Sequence, residues 1–222
     1  MLNRAPWFLL LSWLACAAPA AAAAETFGLD GDLAARAARP HAEWVSRARM
    51  LERRGDWTGL LAWGRDWARV DAKNPLAWFV QGRALGELGR LAEAIAAYRQ
   101  NLRLAPDDVF ARNNLGNAYR DSGRPHEAMQ AYRAAVEIDP DYLPAWHNLG
   151  LMFYLTRGEE GVTRALRKLE ASDPRLAEVW RALAVEYSIT RDPGIAREAM
   201  QVLRGLGRAE RARMLGILFG EG

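Results

Sequence analysis

Cysteine is almost missing from this chain: Cys16 is the only one in 222 residues. A disulfide framework needs pairs, and a cysteine-based zinc site needs several, so both are excluded. Charge of one sign is missing too. Lys and Arg number 30 against 27 Asp and Glu, for a net charge of +3, and the two signs interleave along the chain. A nucleic-acid-binding domain shows a basic stripe or block, and its absence argues against a nucleic-acid partner. Long apolar runs are scarce. "WFLLLSWLA", starting at Trp7, falls short of the roughly 20 residues a membrane span needs.

What is present at the start is a three-part pattern. "MLNRAP" carries one positive charge, the apolar run follows, and a small-residue tract ends in Ala22, Ala23 and Ala24 before Glu25. This is the layout of a secretory signal with an A-x-A cleavage site, so residues 1–24 are expected to be a cleaved signal peptide. Cleavage after Ala24 would remove Cys16 and leave a periplasmic protein without cysteine. Two alternatives anchor the protein in the envelope membrane: a retained signal, or a lipid on Cys16, although Trp13-Leu14-Ala15 is a poor lipobox. Residues 25–40 are expected to form a lead-in helix or linker.

Beyond residue 40 the chain repeats with a step of 34. Trp44, Trp78, Trp146 and Trp180 stand on one ladder, with Arg112 on the rung between. Four places after each rung is a small residue: Ala48, Gly82, Gly116, Gly150, Ala184. Seven places after is a large apolar one: Leu51, Leu85, Tyr119, Phe153, Tyr187. Gly55, Gly89 and Gly123 mark turns, with Gly158 one place late, and Pro106, Pro140 and Pro174 close three units. Self-similarity at such a period is the mark of a repeat architecture. Arg112 (by its stem), Leu115, Gly116 and Tyr119 share one helical stripe, spaced i, i+3, i+4, i+7. No single helix pair buries its apolar face alone; stacking does so.

The pattern W-x2-L-G-x2-Y…A-x3-F…P is met by "WHNLGLMF" with Pro174 and by "RNNLGNAY" with Ala128, Tyr132 and Pro140. The chain closely resembles the tetratricopeptide repeat family over residues 41 to about 208. The resemblance implies an all-α fold: a right-handed α-solenoid of about five helix-turn-helix units, near 41–74, 75–108, 109–142, 143–176 and 177–208. A C-terminal capping helix over 209–222 would cover the last pair with Leu215, Ile217, Leu218 and Phe219.

In this family the first helices line the concave surface. At about 100° per residue, Phe110, Asn113, Asn114, Asn117 and Asp121 point away from the packing stripe of their own helix. By resemblance they face the groove. Phe79 and Arg83 extend it on one side, His147 and Asn148 on the other, with Arg120 and Arg181 adding charge. An Asn side chain both donates and accepts, so it can bond the backbone of an extended peptide whatever its sequence. Some peptide-binding members of the family use such an asparagine ladder. The arginines would attract an acidic segment or a terminal carboxylate. The competing expectation is that these asparagines only solvate an idle face. The carboxylate clamp of chaperone-binding relatives is not matched, since Asn113 and His147 stand where it would hold a basic residue. Off the packing stripe, the asparagines should tolerate alanine without loss of stability. Trp44, Trp57, Trp63, Trp67 and Trp78 crowd the first unit, mostly as core, with Trp63 the candidate for exposure.

Chemistry is scarce. "HEAMQ" at His126 begins like a zinc-protease helix, but Gln130 replaces the second histidine. There is no P-loop, no nucleophile elbow around Ser122, and His41, His126 and His147 lie in different units. The expectation is no enzyme, cofactor or metal. The expected function is a non-catalytic scaffold that binds a protein or peptide client in the groove, for assembly of an envelope complex such as a pilus, secretion system, polysaccharide exporter or cytochrome-maturation machine. The alternative is an accessory subunit docked through its first unit or its C-terminal cap, with the groove unused.

Overall fold

Short polar side chains and prolines fix where the helices start. In this computed structural model, which describes residues 42–190 and 192–220, Asp56, Asn74, Asp108, Asp173 and Asp192 each accept a bond from a backbone N–H in the first turn of the helix they precede. Such caps satisfy donors that a helix start leaves open. Pro75, Pro125, Pro174 and Pro193 open helices where no donor is needed. The signal peptide and lead-in helix expected over 1–24 and 25–40 lie outside the described residues.

The resulting helices are α1 (Ala42–Arg53), α2 (Trp57–Val70), α3 (Pro75–Glu87), α4 (Leu91–Leu104), α5 (Val109–Asp121), α6 (Pro125–Ile138) and α7 (Leu143–Ser172). They continue with α8 (Pro174–Trp180), a π-helical turn over Arg181–Glu186, α9 (Tyr187–Thr190), α10 (Pro193–Gly205) and α11 (Arg208–Phe219). Among the described residues there is no strand. The α7 run breaks at Gly158, whose φ of 65° matches Gly55, Gly89 and Gly123 in the preceding turns. A side chain there would be strained, so glycine supplies each turn. The described residues form an all-α solenoid of stacked helix pairs, with each helix from α1 to α8 packing on its neighbour in sequence.

The rung has a role beyond packing. The indole N–H of Trp78 donates to the Ala72 carbonyl at 2.9 Å, and that of Trp146 to the Pro140 carbonyl at 2.9 Å. Arg112 performs the same task, its guanidinium donating to the Pro106 carbonyl at 2.6 Å. Its presence on a tryptophan ladder is thereby explained: any long side chain with a terminal N–H reaches the carbonyl six residues back.

The glycine column serves two partners. A Cβ on Gly82 would stand 2.7 Å from the Tyr98 ring, and one on Gly116 would stand 2.5 Å from the Tyr132 ring, so each second helix inserts a tyrosine against its first. The corresponding residue for Gly150 is Leu166, and the close approach there is to another element: the Ala184 Cα lies 2.5 Å from where a Cβ would be. Ala184 sits in the π turn, and π turns mark places where a helix absorbs an extra residue.

The first pair is held by tryptophan. Trp67 is fully buried and stacks on Trp44 at 5.7 Å, while Trp63 packs on Trp44 at 4.3 Å and donates its N–H to the Trp44 carbonyl. Trp63, the candidate for exposure, is half-buried. At the other end α11 lies on α7 and α8. Leu215 and Leu218 are buried, and Phe219 meets Phe153 and Trp180 edge-on at 5.5 and 6.3 Å.

Candidate functional site: the face of the first helices

The first helices α3, α5 and the first half of α7 stand side by side, and residues 34 apart fall in columns across them. Four of the residues expected in the groove are committed to holding the solenoid together. Phe79 is 2% exposed and packs edge-on against Tyr98, because the face of α3 that carries it is covered by neighbouring helices. Phe110 is half-buried against Tyr142. Asn113 and Asn148 are buried, at 4% and 9% exposure. The Asn148 amide donates to Asn113 Oδ1 at 2.9 Å and to Asn117 Oδ1 at 3.3 Å, while the Tyr132 hydroxyl donates to Asn117 Oδ1 at 2.7 Å. These asparagines form a polar seam between α5, α6 and α7. Buried amides are costly unless bonded, and here they satisfy one another. The expectation that alanine is tolerated at Asn113 and Asn148 is therefore overturned.

Arg83 is likewise locked. Its Nε donates to Glu52 at 3.2 Å and Nη1 to Glu87 at 2.7 Å, with Trp57 beneath the guanidinium at 5.6 Å. Burial works against its charge, but Tyr98, Glu87 and Glu52 outweigh it and raise the pKa above the ordinary arginine value. Arg83 is a strut between the first two pairs and not a free cation for a client.

The rest of the face is partly exposed. Asn114, Asn117, Arg120, His147 and Arg181 are half-exposed. Asn117 donates to Asn114 at 3.4 Å, and Arg120 pairs with its neighbour Asp121 at 2.8 Å. One turn further, in the same columns, α7 presents Leu151, Tyr154 and Leu155 at i, i+3, i+4. Leu155 is 61% exposed, the largest exposure of any big apolar residue on the first helices among those described. Tyr154 and Leu155 were not among the expected groove residues. The 34-residue step from Arg120 and Asp121 points to them directly. Read by column, the face changes along the solenoid from Glu52, Arg83 and Glu87, through Asn117, Arg120 and Asp121, to Leu151, Tyr154 and Leu155.

Among the described residues no cluster of His, Cys, Asp or Glu could hold a metal ion, and no helix is long and apolar enough to cross a membrane.

A face built of stacked helix pairs defines a class: an α-solenoid that acts as a protein-interaction scaffold. The chain carries tetratricopeptide repeats, and residues 79–142 match that family's sequence profile. No curated protein matches the chain. Among solved structures, it is similar to MamA 41-end from Desulfovibrio magneticus RS-1, with 22% identity, a TM-score of 0.51, and coverage of 79% of this chain and 97% of that one. A MamA RS-1 double mutant is similar at 22% identity and TM-score 0.50, covering 78% and 97% of the two chains. YrrB, described as a tetratricopeptide repeat protein with an unusual peptide-binding site, is 16% identical with a TM-score of 0.48, covering 82% and 94%. These likenesses are of fold.

Proposed function

We propose that this protein is an exported, non-catalytic scaffold that holds an extended segment of a client protein along the face of its first helices, as part of the assembly of an envelope complex. The reading rests on one observation: Leu155 stands 61% exposed on the first half of α7, flanked by half-buried Leu151 and Tyr154 and carried on the same face as the half-exposed amides of Asn114 and Asn117. An exposed apolar strip rimmed by polar groups is suited to a protein partner. Asn114 and Asn117 offer donors and acceptors to a peptide backbone, and Arg120 offers charge. Export rests on the signal-like residues 1–24 and makes the periplasm the site of action. Docking through the C-terminal cap is disfavoured, because Leu215 and Leu218 are buried within the chain and Phe219 is spent on Trp180 and Phe153.

The test is a pull-down from periplasmic extract with the wild-type protein, followed by titration of the best hit. Leu155→Ala with Tyr154→Ala should weaken that client by about tenfold or more, since two contact side chains are lost. Equal binding by the double variant would make the face idle. N-terminal sequencing of the periplasmic form should begin at or near Glu25.

A further inference from the structure

A second surface is lined by none of the residues of the face just described. Between α10 and the start of α7 is a cleft of about 310 Å³. Its floor is apolar: Leu143, Pro193, Ala196 and Met200, the last two buried. Pro193, Ala196, Arg197, Met200 and Arg204 are spaced i, i+3, i+4, i+7, i+11, so one stripe of α10 forms a whole wall. The rim is polar and its charge is unbalanced. Arg204 reaches across to Asp141 with Nε alone, at 3.0 and 3.1 Å from the two carboxylate oxygens, which leaves its Nη groups open. Arg197 makes no hydrogen bond or ion pair among the described residues and is exposed. Two guanidiniums therefore face one carboxylate across an apolar floor.

We infer that this cleft is a docking site for a short acidic segment of a partner protein, one that places a large apolar side chain beside a carboxylate. The apolar side chain fills the cleft over Met200 and Ala196. The carboxylate takes the open N–H groups of Arg197 and Arg204, whose planar fork matches a carboxylate with two parallel bonds. A basic segment would meet two like charges, and an uncharged one would cover the guanidiniums without matching them. The site is independent of the first-helix face, so either one stands if the other fails.

The experiment is fluorescence anisotropy with a labelled Gly/Ser peptide carrying a single Leu-Glu pair, compared with the same peptide carrying Leu-Gln. The Leu-Glu peptide should bind at least about tenfold tighter, and Arg197→Gln and Arg204→Gln should each remove about tenfold, the worth of a charge-assisted bond. Both arginines are exposed, so melting temperatures should not move. Leu155→Ala should leave the affinity unchanged. The proposal is overturned if both peptides bind alike, if neither saturates at millimolar concentration, or if the arginine variants bind like wild type. It is equally overturned if Leu155→Ala abolishes binding, which would place the peptide on the other face, or if N-acetyl-leucine competes at equal strength, which would make this a small-molecule site.

Discussion

Asn148 and Asn114 carry the same side chain on neighbouring helices 34 residues apart, yet they do different work. Asn148 is buried and bonded to Asn113 and Asn117; Asn114 is half-exposed. Asn148→Ala should therefore cost about 1–3 kcal/mol, the penalty for leaving buried partners unsatisfied. Asn114→Ala should stay within about 0.5 kcal/mol of wild type, as surface changes do. Urea denaturation of the two variants separates them. The sequence could not make this distinction with one helix at a time. Angular position on α5 places Asn113 away from its own partner α6, but a first helix in a solenoid is also flanked by the first helices on either side. Asn113 and Asn148 are 35 apart, one off the period, and that offset sets them side by side. Two buried tyrosines, Tyr132 behind the seam and Tyr98 on α4, give a pH signature. Burial raises the pKa of Tyr132 and of Tyr98. A raised folded value means stability that is intact below the unfolded pKa of about 10 and lost as pH rises beyond it. Absorbance at high pH should show these two phenols ionising only together with loss of helix.

At the scale of the helix pair, the prediction concerns the glycine column. Gly116→Ala and Gly150→Ala look equivalent in sequence. In the fold, the first pushes on the Tyr132 ring, and the second on the backbone of Ala184 in the π turn. A ring can tilt; a backbone turn cannot move alone. Both should destabilise by about 1–3 kcal/mol, with Gly150→Ala the worse, as overpacked cores do. Thermal melts of both variants decide the order. The turns and the small-residue column were legible because each rests on a local rule: a positive φ, a missing Cβ. The π turn was not. It follows from how α8 and α9 meet α7, and no residue in "RALAVE" announces it.

Across the whole molecule, the ends differ from the middle. The first described pair is held by stacked tryptophans, and α11 folds onto α7 and α8 after the last. Phe219→Ala should cost about 1–3 kcal/mol, less than a fully buried phenylalanine, because Phe219 is half-covered while holding Phe153, Trp180 and the Arg133 guanidinium at 5.7 Å. Calorimetry should show the loss, with no change in binding at the first-helix face.

The bond from each rung to the carbonyl six residues behind it has a consequence for how such a chain can grow. Trp78, Arg112 and Trp146 each fasten the start of one pair to the end of the one before. Both halves of that fastening are carried by every block of the middle array. Doubling residues 109–142 would regenerate it at the seam, with the copied Arg112 meeting Pro140 as Trp146 does now. Trp180 lacks the fastening, its buried Nε1 having no hydrogen-bond partner among the described residues. A gene of this kind can therefore lengthen by duplication from its centre, where both halves of the fastening recur.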